Sequence, residues 1–122
     1  MPVTWSISPE DRFVLITLEG EVQAQDIRQF ISVMVSDGLE TYRKLFDARY
    51  VVPGSLGFRD LKAFSATVVG LAKDVPMGAV AFVVGSDVER EMAEVYGKAD
   101  VGRALAIFSD LAEARQWLDS RA

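Results

Sequence analysis

A chain of 122 residues, half of them apolar and a quarter charged, has the size and balance of one globular domain with a core of its own. It contains neither histidine nor cysteine, which excludes Ser-His-Asp and Cys-His catalysis, His/Cys zinc sites, thiolate chemistry and a histidine pH switch. Eighteen acidic against 13 basic side chains give a net charge of −5, and with no basic stripe this argues against nucleic-acid binding.

Val3 to Ser8 alternates, with Val3, Trp5 and Ile7 on one face and Thr4, Ser6 and Ser8 on the other, which predicts a strand with one wet face. Pro9-Glu10-Asp11 supplies turn chemistry. Phe13 to Leu18 predicts a second, more deeply buried strand, and the short turn implies an antiparallel hairpin. Gly20-Glu21 ends that strand. Ile27, Phe30, Ile31, Met34 and Val35 recur at helical spacing, and Gly38 is a natural stop. Lys44 to Ala48 reads as a third strand. A second helix, starting near Gly57 with Asp60 in its first turn, carries Leu61, Phe64, Val68 and Leu71. After the breaker Pro76-Met77-Gly78, the short apolar run Ala79 to Val84 predicts a central strand buried on both faces. Ser86 and Glu89 have capping-box spacing and open a third helix through Val88, Met92, Val95 and Tyr96. Ala104 to Phe108 predicts a fifth strand. Asp110 caps a last helix with Leu111, Ala114, Trp117 and Leu118.

The order ββαβαβαβα predicts an α/β fold, a small mixed five-stranded sheet with four helices. Strands separated by single helices run parallel through right-handed crossovers, and the first hairpin strand adds an antiparallel edge. Residues 1–5 lack a basic segment followed by an apolar run, and the apolar run at 79–84 falls far short of the roughly 20 residues that span a membrane. A cytoplasmic domain with no membrane span is expected. Trp5 and Trp117, near the two ends of the chain, could pack in one region.

Parallel α/β sheets gather ligands at the carboxyl ends of their strands. That edge should display Gly20-Glu21, Asp47-Ala48-Arg49, Gly85-Ser86-Asp87 and Ser109-Asp110. Asp87, Glu89, Asp110 and Glu113 fall in first helical turns, where carboxylates cap free N–H groups and answer the helix dipole. Caps explain them better than a metal site, so no metal and no cofactor is expected. Asp47 and Arg49 end a strand; they either pair and fix the loop, or Arg49 meets an anion or a partner. The segment 50–58 carries Tyr50, Val51, Val52, Leu56 and Phe58 where a polar loop would be usual. Its own sheet, a second subunit in a homodimer, or an apolar ligand beneath a lid would have to cover it. No phosphate-binding glycine loop is present. With no catalytic set, the chain is expected not to be an enzyme.

The stretches at 13–20, 42–49, 76–81 and 107–118 together resemble the SpoIIAA-like superfamily, which includes STAS domains, bacterial anti-sigma-factor antagonists and STAS/SEC14-like bacterial proteins. The similarity spans nearly the whole chain. It implies a mixed sheet with consecutive parallel strands side by side, no catalytic residues, and a regulatory or protein-interaction role. Its SEC14-like side implies instead a carrier or sensor of an apolar small molecule or lipid, held in a pocket under 50–58. In the antagonist branch a serine at a helix start after the third strand is phosphorylated, within Asp-Ser-Ser-Gly-Leu-Gly. The corresponding stretch here is Pro53-Gly54-Ser55-Leu56-Gly57, which makes Ser55 the candidate phosphoacceptor. It lacks the acidic residue and lies closer to the third strand. The candidate ligand or partner contacts are Asp47, Arg49, Tyr50, Val52, Leu56 and Phe58.

Overall fold

The computed structural model describes residues 2–52, 57–71, 76–99 and 103–121. The chain runs β1 (Val3–Ser8), β2 (Phe13–Glu21), α1 (Ala24–Ser36), β3 (Arg43–Val52), α2 (Phe58–Leu71), β4 (Val80–Val83), α3 (Asp87–Ala99), β5 (Leu105–Phe108) and α4 (Leu111–Asp119). The sheet order is β1-β2-β3-β4-β5, with β1 antiparallel to β2 and the remaining pairs parallel. This is the architecture expected from the sequence.

The order fixes where the helices lie. When each parallel strand is laid beside the last, right-handed crossovers all fall on one side of the sheet. Side chains of α1 and α3 accordingly meet Val14, Ile16, Phe46 and Phe82 on one face, and α2 lies on that same side. The last helix, α4, follows the final strand and folds back on the other face, where Ala114 and Leu118 pack with Phe13, Leu45, Ala81 and Val83. Leu118 and Ala114 are fully buried there. Trp5 contacts Phe30 on the first face and Trp117 contacts Phe108 on the second, so the two tryptophans do not share a region. The period-2 alternation of β1 sends Trp5 to the α1 side, while α4 reaches the sheet from the opposite side.

Local chemistry sets the boundaries. In α1, Gln23 and Asp26 form a capping box, with the Gln23 N–H donating to Asp26 Oδ2 at 2.9 Å. The helix ends in a Schellman motif. Gly38 takes φ +68°, its N–H donates to the Val35 carbonyl at 3.2 Å, and the Leu39 N–H donates to the Met34 carbonyl at 2.8 Å. Leu39 and Met34 are both buried in the same cluster. Ser86 caps α3 as its spacing predicts, accepting from the Glu89 N–H at 3.3 Å, and Glu89 reaches back to the Gly85 N–H at 3.0 Å. Asp110 caps α4 by accepting from the Glu113 N–H at 3.0 Å.

The third strand corrects one expectation. It extends four residues beyond Ala48, so Tyr50, Val51 and Val52 are strand and not loop. They pair with Glu19, Gly20 and Glu21 of an equally extended β2. The register shifts between Thr17 and Glu19, where β3 carries one extra residue. That bulge breaks the alternation that marks a strand in sequence.

Candidate functional site

α2 packs on α3 and lightly on α1, with no comparable contact to the sheet among the described residues. A helix held off its sheet leaves space, and here it leaves an apolar cavity of about 150 Å³, partly open to solvent. The floor is Leu18 of β2 with Phe46, Ala48 and Val51 of β3, and Phe82 of β4. Phe30, Ile31 and Met34 of α1 form one wall, and Met92, Ala93 and Tyr96 of α3 the other. Leu61, Phe64 and Val68 of α2 form the roof. Room for one water needs about 10–15 Å³ on this measure, so the cavity has space for on the order of ten water-sized groups.

Aromatic rings stiffen the floor. Phe46 and Phe82 stack with centroids 5.0 Å apart, Phe30 meets Phe46 edge-on, and Tyr96 meets Phe82 edge-on. Offset and edge-on pairs of this kind add about 0.5–1.5 kcal/mol each beyond burial. The floor is therefore pre-formed, and three methionines, Met34, Met77 and Met92, supply adaptable wall.

One lysine borders this space. Lys44 lies between Val14 of β2 and Val80 of β4, both fully buried, and is itself 4% exposed. Its Nζ donates to the carbonyls of Leu39 at 2.8 Å, Tyr42 at 3.0 Å and Glu40 at 3.3 Å. Those carbonyls are delivered by the turn that follows the Schellman motif. Burial, and then the Arg103 guanidinium, push the Lys44 ammonium down to about 7, while the Glu40 carboxylate pulls the other way. Glu40 and Arg103 line the same cavity, and Arg103 also donates to the Tyr96 hydroxyl at 2.8 Å.

The bulge in β3 is held by the pair singled out in the sequence. Arg49 chelates Asp47 through Nε and Nη2, both at 2.9 Å, and the Arg49 N–H donates to the same carboxylate at 3.2 Å. Hydrogen bonds from Arg49 hold the Asp47 carboxyl below its usual range, against the opposing effect of burial. The same bonds raise the Arg49 guanidinium. The extra residue turns Ala48 and Val51 both toward the cavity, and sends Tyr50 and Val52 to the other face, where they are 56% and 54% exposed. The Arg49 guanidinium lies over the Tyr50 ring at 5.2 Å from its centroid.

A sequence profile of the SpoIIAA-like family matches residues 13–119. The chain belongs to the SpoIIAA-like family. Among solved structures, it is similar to an uncharacterised protein of the DUF3478 family with a SpoIIAA-like fold from Shewanella loihica PV-4. That likeness has a TM-score of 0.62 at 18% identity and covers 95% of this chain and 91% of that one. At that identity it supports the fold alone. No curated protein matches.

In this SpoIIAA-like domain the sequence-predicted residues divide. Asp47, Arg49, Tyr50 and Val52 lie together on the face away from the cavity. Ser55 and Leu56 lie outside the described residues, as does the side chain of Phe58. Of the segment 50–58, Val51 alone among the described side chains lines the cavity. Among the described residues the cavity lies beneath α2. Sequence reasoning missed Lys44 and the three methionines. The signal for Lys44 was present: strict alternation puts it on the face of Phe46 and Ala48, where a lysine is out of place.

Proposed function

We propose that this domain binds an apolar small molecule in the cavity beneath α2, as a carrier or sensor and not as an enzyme. The observation that carries the reading is the cavity itself, with a pre-formed aromatic floor and a roof helix that leaves the sheet uncovered. Sealed cores of this size pack near crystal density, and an unfilled apolar volume on this scale forfeits contacts. A ligand of about ten non-hydrogen atoms restores them. Eight methylenes leaving water contribute about 6 kcal/mol, which corresponds to a Kd of roughly 40 μM. Decanol titrated into the full chain by calorimetry, after mild delipidation, should bind saturably in the micromolar range with a negative heat-capacity change. Absence of saturable binding overturns the reading.

Tyr50 and Val52 favour a second reading, a protein-interaction module or homodimer, because two exposed apolar side chains sit together beside Glu19 and Glu21 on a sheet face. Sedimentation of the chain and of Tyr50→Ser/Val52→Ser tests the homodimer. A dimer that dissociates on the double substitution supports it, and a monomer at all concentrations contradicts it.

A further inference from the structure

We propose that Lys44 is a reactive amine at the border of the cavity and captures an apolar aldehyde there as an imine. The proposal rests on the cavity taking apolar molecules, and adds that one class of them is held covalently and reversibly.

A lysine at this position has an unusual setting. It is 4% exposed, and no carboxylate lies within ion-pair distance of it among the described residues. Its hydrogen bonds suggest a structural role, yet two of the three are redundant. The Leu39 carbonyl also accepts from the Tyr42 N–H at 3.2 Å, and the Glu40 carbonyl from the Gly78 N–H at 3.1 Å. The Tyr42 carbonyl depends on Lys44. A protonated imine keeps one N–H, which is enough for that oxygen. Capture therefore leaves no carbonyl of the turn orphaned. Burial and the nearby guanidinium shift Lys44 toward the free amine near neutral pH. A desolvated lysine beside a second cation is a recognised arrangement for Schiff-base chemistry.

The step balances without an oxidant or reductant. The Nζ lone pair attacks the carbonyl carbon, a C–N bond forms, and the C=O π pair moves to oxygen, which takes up a proton. In the carbinolamine step nitrogen passes one of its two protons to the hydroxyl oxygen, which leaves as water while the C=N bond forms, and nitrogen keeps the other proton as the protonated imine. Water reverses the sequence and releases the aldehyde.

The test uses decanal with the full-length chain at pH 7.5, trapping by cyanoborohydride, and peptide mass mapping of the four lysines, Lys44, Lys62, Lys73 and Lys98. Lys44 should be alkylated about tenfold faster than the other three, because the cavity holds the aldehyde beside a desolvated amine. Excess decanol should suppress that labelling, and propanal should show little preference for Lys44. Because the readout is made on the unsubstituted protein, a folding defect in Lys44→Met cannot obscure it. Decanol binding with equal or slower labelling at Lys44 overturns the proposal and leaves the cavity reading standing. Failure of decanol to bind overturns both.

Discussion

Replacing Ala48 with isoleucine places three extra carbons on the cavity floor, on a strand where a β-branched side chain is favoured. Those carbons enter the space beneath α2 and are buried without displacing anything. Three carbons at about 0.8 kcal/mol each give roughly 2.4 kcal/mol, and ordering the longer side chain takes back about 0.5–1 kcal/mol. The net gain is about 1.5 kcal/mol, or about 6 °C in Tm for a chain of this size. In a filled core the same substitution overpacks and costs about 1–3 kcal/mol, so the two cases differ in sign. Urea denaturation of delipidated protein, followed by tryptophan fluorescence, measures it. The substituted cavity should also bind decanol some tens of times more weakly, having lost space for about three methylenes. Destabilisation by more than about 1 kcal/mol at unchanged m-value would mean that the space is already filled.

Gly78→Ala tests the junction below Lys44: a Cβ there would meet the Tyr42 and Thr41 carbonyls, so a loss of about 3 kcal/mol in urea denaturation is expected, and a neutral result would contradict the close approach. Asp47→Asn removes the chelate that holds the bulge. Because the folded carboxyl lies below its unfolded value, its contribution is present above about pH 4 and lost as pH falls through the folded value. The parent's urea midpoint should therefore fall more steeply in acid than that of Asp47→Asn; parallel curves would count against the pair. Lys44 has the opposite sense. The unfolded chain keeps that proton up to about 10.5 and the folded chain releases it near 7, so raising the pH across this window favours folding. Between pH 7.5 and 9.5, stability of the parent relative to Lys44→Met should rise with a slope approaching about 1.4 kcal/mol per pH unit. A flat difference would show that the carbonyl triad keeps the ammonium charged.

The element order was legible because each helix repeats its apolar residues every three or four positions and each turn carries its own chemistry. Gly38 and the Ser86–Glu89 pair performed the roles their types suggest. The end of β3 was not legible. Asp47 and Arg49 bind each other across a bulge, so the residues after them no longer alternate. On β2 the paired residues Glu19, Gly20 and Glu21 are poor strand formers whose side is wet. The cavity was hidden for a different reason. Leu61, Phe64 and Val68 form the same apolar stripe whether a helix rests on a sheet or is held above it. Only tertiary packing distinguishes the two. Lys44 was masked by its neighbours, since a charged residue near the start of an apolar strand looks like a flank until alternation assigns it a face.

The proposed ligand site is the space beneath α2. The chain holds four methionines, and Met34, Met77 and Met92 all line that space. Methyl NMR of methionine-labelled protein during a decanol titration below its solubility limit therefore reads the cavity directly. These three resonances should shift together and saturate at one equivalent, and the shifts should shrink in Ala48→Ile. Three resonances that stay fixed, while other signals move or none do, would contradict it.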